Sequence, residues 1–290
     1  MKDIISWFLK GAAMGIADGV PGVSGGTIAL ITGIYERFIA AIAAFKPSLW
    51  RFVQQKDFNG LWLAIDGRFL LALGAGILLS LFSTLSVMHW LLENLAPVVW
   101  AFFMGVIIVS LWFMCVVKKW QLNDFMLLVG GAVIALGLIF STPADIEATP
   151  MILILGGAIA ISAMILPGIS GSFMLLLLGL YPVVVEAVHA RDVVIVLWVA
   201  LGCLVGILSF SQVLQWLLKR WHDRVMSFML GFVVGALVKV WPWQIAEGQL
   251  WLSPSQYADA TGLPSYLILS LISFLIGSIL VWLLTTRSNV

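Results

Sequence analysis

The sequence predicts an all-α integral membrane protein made of two inverted repeats, each a re-entrant helical hairpin followed by three transmembrane helices. Three observations predict it: a composition that cannot face water, apolar stretches long enough to cross a bilayer, and one motif that occurs twice. Of the 290 residues, 62% are hydrophobic and only 10% are charged, and the mean hydropathy is +1.11. A soluble domain carries about 25% charged residues, so this chain lacks the polar groups to coat a surface in water. The 27 glycines and 14 tryptophans suit a bilayer, where Gly is tolerated inside helices and Trp collects at the interfaces. The composition excludes collagen, a coiled coil, a disordered tail and a nucleic-acid binder. Cys115 and Cys203 sit in apolar runs without metal-ligand spacing and read as small hydrophobes. No cofactor or metal is implied.

The first apolar region, residues 4–45, is interrupted by Asp18-Gly19-Val20-Pro21-Gly22-Val23-Ser24-Gly25-Gly26. Its leading arm of roughly 14 or 15 residues rises only about 21 Å, too short for a hydrocarbon core of about 30 Å. A hairpin that dips to the midplane and returns accounts for it. A secretory signal is rejected because cleavage would remove part of a repeated unit. Three spans follow, Phe69 to Leu92, Val98 to Val117 and Phe125 to Phe140. A second interrupted region, residues 151–188, breaks at Leu166-Pro167-Gly168-Ile169-Ser170-Gly171-Ser172. It precedes three more spans, Val193 to Leu218, Val225 to Trp241 and Leu267 to Leu284.

Lys and Arg favour cytoplasmic loops, and this arrangement sorts them. With both termini inside, the inner segments hold Lys2, Lys46, Arg51, Lys56, Arg68, Lys118, Lys119, Lys219, Arg220, Arg224 and Arg287. Lys10 snorkels to the same side. The outer segments carry Glu93, Asp145, Glu147, Asp192, Glu247 and Asp259, with Arg191 and Lys239 as their cations.

A shift of 146 positions lays Pro21-Gly22-Val23-Ser24-Gly25 on Pro167-Gly168-Ile169-Ser170-Gly171, and Gly33-Ile34-Tyr35 on Gly179-Leu180-Tyr181. Two separated blocks in one register indicate an internal duplication, with repeats at 1–142 and 150–287. Three spans per repeat is an odd number, so the second repeat enters from the opposite side. Inverted repeats with broken helices near the midplane are the architecture of secondary transporters. Non-helical backbone at that depth survives only where it is buried in protein or lines a wet cavity. The two tips are therefore the candidate substrate site.

After each break a helix restarts at Gly25-Gly26-Thr27 or Gly171-Ser172, presenting unpaired amides that suit an anion, phosphate above all. Ser24, Thr27, Ser170 and Ser172 either add hydroxyl donors or only cap their own helices. The glycines serve a backbone cradle or helix packing, and Pro21 and Pro167 fix the breaks. Asp18 is the one acid near the midplane, at a half-helix C-terminus where the dipole makes its charge costly. It is a coupling candidate for a proton or sodium ion; the alternative is that it bonds nearby loop amides. Its repeat counterpart is Met164, so its role is asymmetric. Glu36 and Arg37 fall near the cytoplasmic boundary and either assist a headgroup or are simply solvated. Arg191 and Lys239, with Glu186 and His189 nearby in the outer segments, either recruit an anionic headgroup or snorkel. Tyr35 and Tyr181 suit an interfacial belt as well as a site.

Both tips also match Gly-x-Ser-Gly, the pattern around the serine of rhomboid-type intramembrane proteases. A serine nucleophile needs a base within reach, and His89, His189 and His222 all fall at segment ends while the serines lie near the middle. An ATP-binding loop is missing as well.

The run Gly15 to Thr27, followed by Gly33-Ile34-Tyr35-Glu36 and by Leu166 to Ser172 in the second half, resembles the bacterial polyprenyl-phosphate translocases along essentially the whole chain. The resemblance implies recycling of undecaprenyl phosphate from the outer to the inner leaflet of the cytoplasmic membrane after cell-wall and surface-glycan units are delivered. It also implies a site drawn from Asp18, Ser24, Gly25, Gly26, Thr27, Glu36, Ser170, Gly171 and Ser172. Two rivals stay open: an ion-coupled carrier of a small soluble anion, and an intramembrane serine hydrolase.

Overall fold

A computed structural model describes residues 2–20, 23–144, 146–245 and 251–288. Pro21 and Gly22 of the first break, and Asp145 and Glu247 among the acids assigned to the outer segments, lie outside the described residues, as does the side chain of His89. All regular structure among the described residues is helical.

Helix α1 (Lys2–Asp18) ends at the first break, where Ser24 caps α2 (Gly25–Ile31) by accepting a hydrogen bond from the Gly26 amide. The chain then bends by 118° into α3 (Tyr35–Ala43). The bend sits on Gly33, whose φ of 71° is a conformation that only glycine adopts without strain. After a 3₁₀ turn, the short helices α4 (Trp50–Gln54) and α5 (Phe58–Ala64) lead to α6 (Gly67–Val117). The second half repeats the scheme. Helix α8 (Pro150–Ile165) meets the second break, α9 (Gly171–Leu177) restarts on a Ser170 cap, and a 110° bend at Gly179 (φ 69°) leads into α10 (Tyr181–His189). Helix α11 (Val193–Ala236) follows, then α12 (Pro254–Thr261) and α13 (Leu267–Ser288), with α7 (Leu122–Ile139) between α6 and α8. The returning arm of each hairpin, read from sequence as one run, is thus two helices. The glycines at positions 33 and 179, used there only to register the repeat, are the breaks that divide it.

At 51 residues α6 would be about 77 Å long if straight, more than twice a hydrocarbon core. It breaks at Leu95 (φ −136°, ψ 31°), two residues before Pro97, which has no amide to continue the helix. Helix α11 breaks in the same way at Trp221 (φ −138°, ψ 46°). These two breaks fall at the predicted boundaries between spans. Among the described residues, four stretches are long and apolar enough to cross a membrane: Gly67–Thr84, Trp90–Val116, Leu122–Ile139 and the 48-residue Val193–Val240 that contains the Trp221 break. Large apolar side chains such as Phe82, Trp112, Leu122 and Ile268 lie exposed on the outer surface, as a hydrocarbon solvent requires. This is the surface of a multi-pass membrane protein.

Close helix pairs are made by glycines. Gly11 lies against the Leu73 carbonyl and Gly15 against that of Ile77, so α1 and the first arm of α6 run parallel. Gly157 against the Val199 carbonyl, with Gly202 against that of Ile154 and Gly206 against that of Ala158, sets α8 parallel to the first arm of α11. Gly131 meets the Phe228 carbonyl and Gly231 that of Leu128, joining α7 to the second arm of α11. In the same manner Gly277 meets the Phe102 carbonyl and Gly105 that of Phe274, joining α13 to the second arm of α6. A methyl group at any of these glycines would collide with the facing carbonyl.

Candidate functional site

The two breaks meet in the interior. The Gly168 amide donates to Thr27 Oγ1 at 2.9 Å, Ser24 Oγ donates to the Met164 carbonyl at 3.4 Å, and Tyr35 Oη donates to the Ile165 carbonyl at 3.1 Å. Gly26 faces the same two carbonyls. Side chains of the first hairpin therefore satisfy backbone groups that the second break leaves without helical partners, which is what non-helical backbone away from water demands. Tyr35 is only 2% exposed, a buried strut rather than a member of an interfacial belt; Tyr181, 42% exposed, keeps the belt reading.

The tips differ in what they offer. In the first, Asp18 Oδ1 accepts the Gly25 amide at 2.7 Å, and the Gly26 amide is taken by Ser24 Oγ at 3.1 Å. Ser24, Gly25, Gly26 and Thr27 are all buried. The protein's own carboxylate thus stands where an external anion would have to sit. In the second tip, Met164 replaces the acid, Ser170 Oγ accepts the Phe173 amide at 3.3 Å and lies 3.4 Å from Ser172 Oγ. Ser170 and Gly171 are half-buried and Ser172 is exposed. The expected pair of equivalent amide cradles is therefore uneven: one is closed by Asp18, the other is accessible.

Lys239 was read from sequence as a cation of the outer segments, yet it is 6% exposed. Its ammonium lies 2.9 Å over the ring of Phe173, in the attractive geometry of a cation on an aromatic face. It lines a small cavity with Gly168, Ile169, Ser170 and Phe173. The missed signal was its distance from the end of a hydrophobic run, since Lys239 precedes Val240 and Trp241 instead of following them. Beside this cavity an apolar groove of about 480 Å³ runs between α8 and α11, lined by Leu155, Ile159, Leu166, Ile169 and Val213 among others.

Glu36 and Arg37 stand in the first turn of α3. Glu36 Oε1 accepts from His222 Nε2 at 2.8 Å, joining α3 to the Trp221 break. This carboxylate, with Asp223 assisting, raises the His222 imidazole's affinity for its proton. Arg37 pairs with Asp66 at 2.6 Å and lies 4.2 Å over the ring of Trp7, so the start of α3 lies beside the first half of α1. Lys118 pairs with Asp124 at 3.2 Å and also donates to Ser227 Oγ. A cavity of about 680 Å³ opens among these groups, lined by Gly33, Ser110, Lys118, Lys119, His222 and Thr285. Arg191 is exposed in the turn between α10 and α11 and is not brought to either tip. His189 bonds the Val185 carbonyl of its own helix at 2.9 Å, and among the described residues no imidazole touches Ser24 or Ser170.

Comparison with known proteins gives the same direction. The family described as VCA0040-like, undecaprenyl phosphate translocase-like, matches residues 14–256. A protein of Vibrio cholerae serotype O1, named a polyprenyl-phosphate transporter, is 40% identical over 96% of this chain and 94% of its own length. A protein of Staphylococcus aureus with the same name is 33% identical over 93% of this chain and 92% of its own length. No solved structure matches the chain. With most of its length covered, including both breaks and Lys239, this chain belongs to the undecaprenyl phosphate translocase-like family.

Proposed function

We propose that the protein moves undecaprenyl phosphate from the outer to the inner leaflet of the bacterial cytoplasmic membrane, passing the phosphate between two re-entrant hairpin tips. The observation that carries this reading is the contact of the tips themselves: Gly168 on Thr27, and the Met164 and Ile165 carbonyls on Ser24 and Tyr35. Paired breaks at the centre of a helical membrane protein are where transporters of this architecture bind substrate. The relatives' name supplies the substrate class. A groove open to the apolar surface beside the second tip favours a lipid over a small soluble anion, whose carrier has no use for one.

Matched packing supports a reading of two inverted repeats. Gly11 and Gly157, and Gly131 and Gly277, stand 146 positions apart and meet carbonyls at equivalent places on their partners. Under the proposed topology both termini are cytoplasmic, each hairpin returns to its own side, and the basic cavity at Lys118 and His222 opens inward. Segments assigned to one side do touch each other: Glu36 with His222 on the inner, and the Ala144 amide with the Leu177 carbonyl on the outer.

Asp18 provides the coupling. While ionised it holds the Gly25 amide and repels phosphate from the first tip; a proton or sodium ion neutralises it and opens that tip to the headgroup. Glu36, paired with His222, tunes the inner exit, and Arg37, tied to Asp66, orients the returning arm. The test is reconstitution into liposomes with leaflet-resolved detection of undecaprenyl phosphate, under a pH gradient, a sodium gradient or neither. Wild-type protein is expected to speed exchange and to respond to one gradient. Exchange no faster than in protein-free vesicles under every gradient refutes the assignment.

A further inference from the structure

We propose that residues 46–66, between the first hairpin and the first span, form an anchor that lies in the membrane–water interface and recognises anionic phospholipid. The stretch folds into a 3₁₀ turn (Pro47–Leu49) and helices α4 and α5, yet not one of its residues is buried. Its own contacts hold it in shape. Asp57 caps α5 by accepting the Gly60 amide at 2.8 Å, the Phe52 ring lies against Gly60, and the Trp62 indole covers Gly67. At its end Asp66 accepts two hydrogen bonds from Arg37, at 2.6 and 3.1 Å, and that guanidinium also lies over the rings of Trp7 and Phe69. The segment is therefore built onto the first hairpin and is not a slack connection.

What it presents outward is apolar and basic together. Trp50, Phe58 and Leu63 are 63%, 65% and 76% exposed, and exposed apolar clusters of this kind mark an interaction surface. Place and charge name the occupant. The first span starts at Gly67, directly after the segment, and its exposed Leu71, Leu78 and Phe82 belong to the lipid-facing surface. The segment thus continues that surface at the level where Trp rings settle. Lys46, Arg51 and Lys56 are exposed, with Arg68 just beyond, whereas the two acids, Asp57 and Asp66, are engaged by the Gly60 amide and Arg37. Short helices with exposed Trp, Phe and Leu beside Lys and Arg lie in the interface, and cations next to a span draw anionic headgroups. A soluble protein partner accounts for the exposed rings but not for their place beside the start of a span. The proposal requires only that a span starts at Gly67. It holds whichever solute the chain carries, so its failure leaves the transport reading standing.

The experiment uses the full chain with Cys115 and Cys203 replaced by Ala and a fluorophore attached through Phe58→Cys. The protein sits in nanodiscs of phosphatidylcholine and phosphatidylglycerol in equal amounts, and one lipid or the other carries a spin-label quencher near the top of its acyl chain. Both quenchers are expected to dim the fluorophore, the phosphatidylglycerol one by about threefold more. Lys46→Gln, Arg51→Gln and Lys56→Gln together should bring that ratio to about one while quenching persists. The same fluorophore on Phe82→Cys, within the first span, should show no preference between the lipids. A Phe58→Cys label quenched by neither lipid lies in water, which overturns the anchor and leaves a protein-facing surface. Equal quenching by both lipids with the cations intact, or a preference that the triple variant keeps, overturns the recognition of anionic lipid. If Phe58→Cys does not fold, Leu63→Cys carries the label. If the triple variant does not fold, raising the salt from about 0.1 M to about 1 M decides, because screening of surface charge then shortens from about 10 Å to about 3 Å; a preference that salt leaves untouched overturns the charge assignment.

Discussion

At Asp18 one oxygen decides what the first break can hold. The carboxylate takes the Gly25 amide at the start of α2, so Asp18→Ala leaves a buried donor without a partner, at a cost of about 1–3 kcal/mol. Asp18→Asn keeps an acceptor oxygen and discards the charge. The expected outcome is that Ala lowers the thermal unfolding midpoint in detergent while Asn leaves it near wild type and abolishes gradient dependence of lipid exchange. Gradient dependence retained by Asn removes Asp18 from the coupling step. Thr27→Val is the complementary change across the interface: it deprives the Gly168 amide of its acceptor and should also cost about 1–3 kcal/mol, read from the same midpoint. Asp18, Ser24 and Thr27 were legible in the sequence because they surround a glycine break inside an apolar run. Lys239 was not, because a lysine near the end of a span reads as snorkelling until the fold brings Phe173 beneath it.

Among the elements, the division of each returning arm at Gly33 and Gly179 explains why short helices suffice at the tips. Helices α2 and α9 have only seven residues each, and packing against α1 and α8 holds them, since isolated helices of that length are unstable. The apolar pattern resumes past both bends, so it did not reveal them; the positive φ of each glycine marks them. The start of α3, just past the Gly33 bend, is tied to α11 by Glu36 and His222. Because Glu36 raises the folded-state pKa of His222 above its ordinary value of 6.5, the tie contributes fully below that value. It is lost as the pH rises through the raised pKa. Transport by wild type should therefore change across that window above pH 6.5, and His222→Gln should flatten this part of the pH profile. A profile in His222→Gln identical to wild type shows that the tie does not act in transport.

For the whole molecule, the cross-linked pairing of spans carries the architecture. Helix α7 of the first half lies along the second arm of α11, and α13 of the second half lies along the second arm of α6. Each half thus lends its last helix to the other, and neither can bury its glycine faces alone. This exchange was not legible in the sequence, because a repeat offset fixes which residues are equivalent and not which helices touch. Inversion makes a sharp prediction about sidedness. Gln55 and Ala190 are both exposed, each follows the returning arm of its hairpin, and duplication without inversion would place them on the same side of the membrane. With Cys115 and Cys203 replaced by Ala, Ala190→Cys should react with a membrane-impermeant maleimide on intact cells, while Gln55→Cys should react only after the inner membrane is permeabilised. Labelling of both from one side would mean that an even number of crossings separates the hairpins, and a phosphate could then not be handed from one tip to the other across the bilayer.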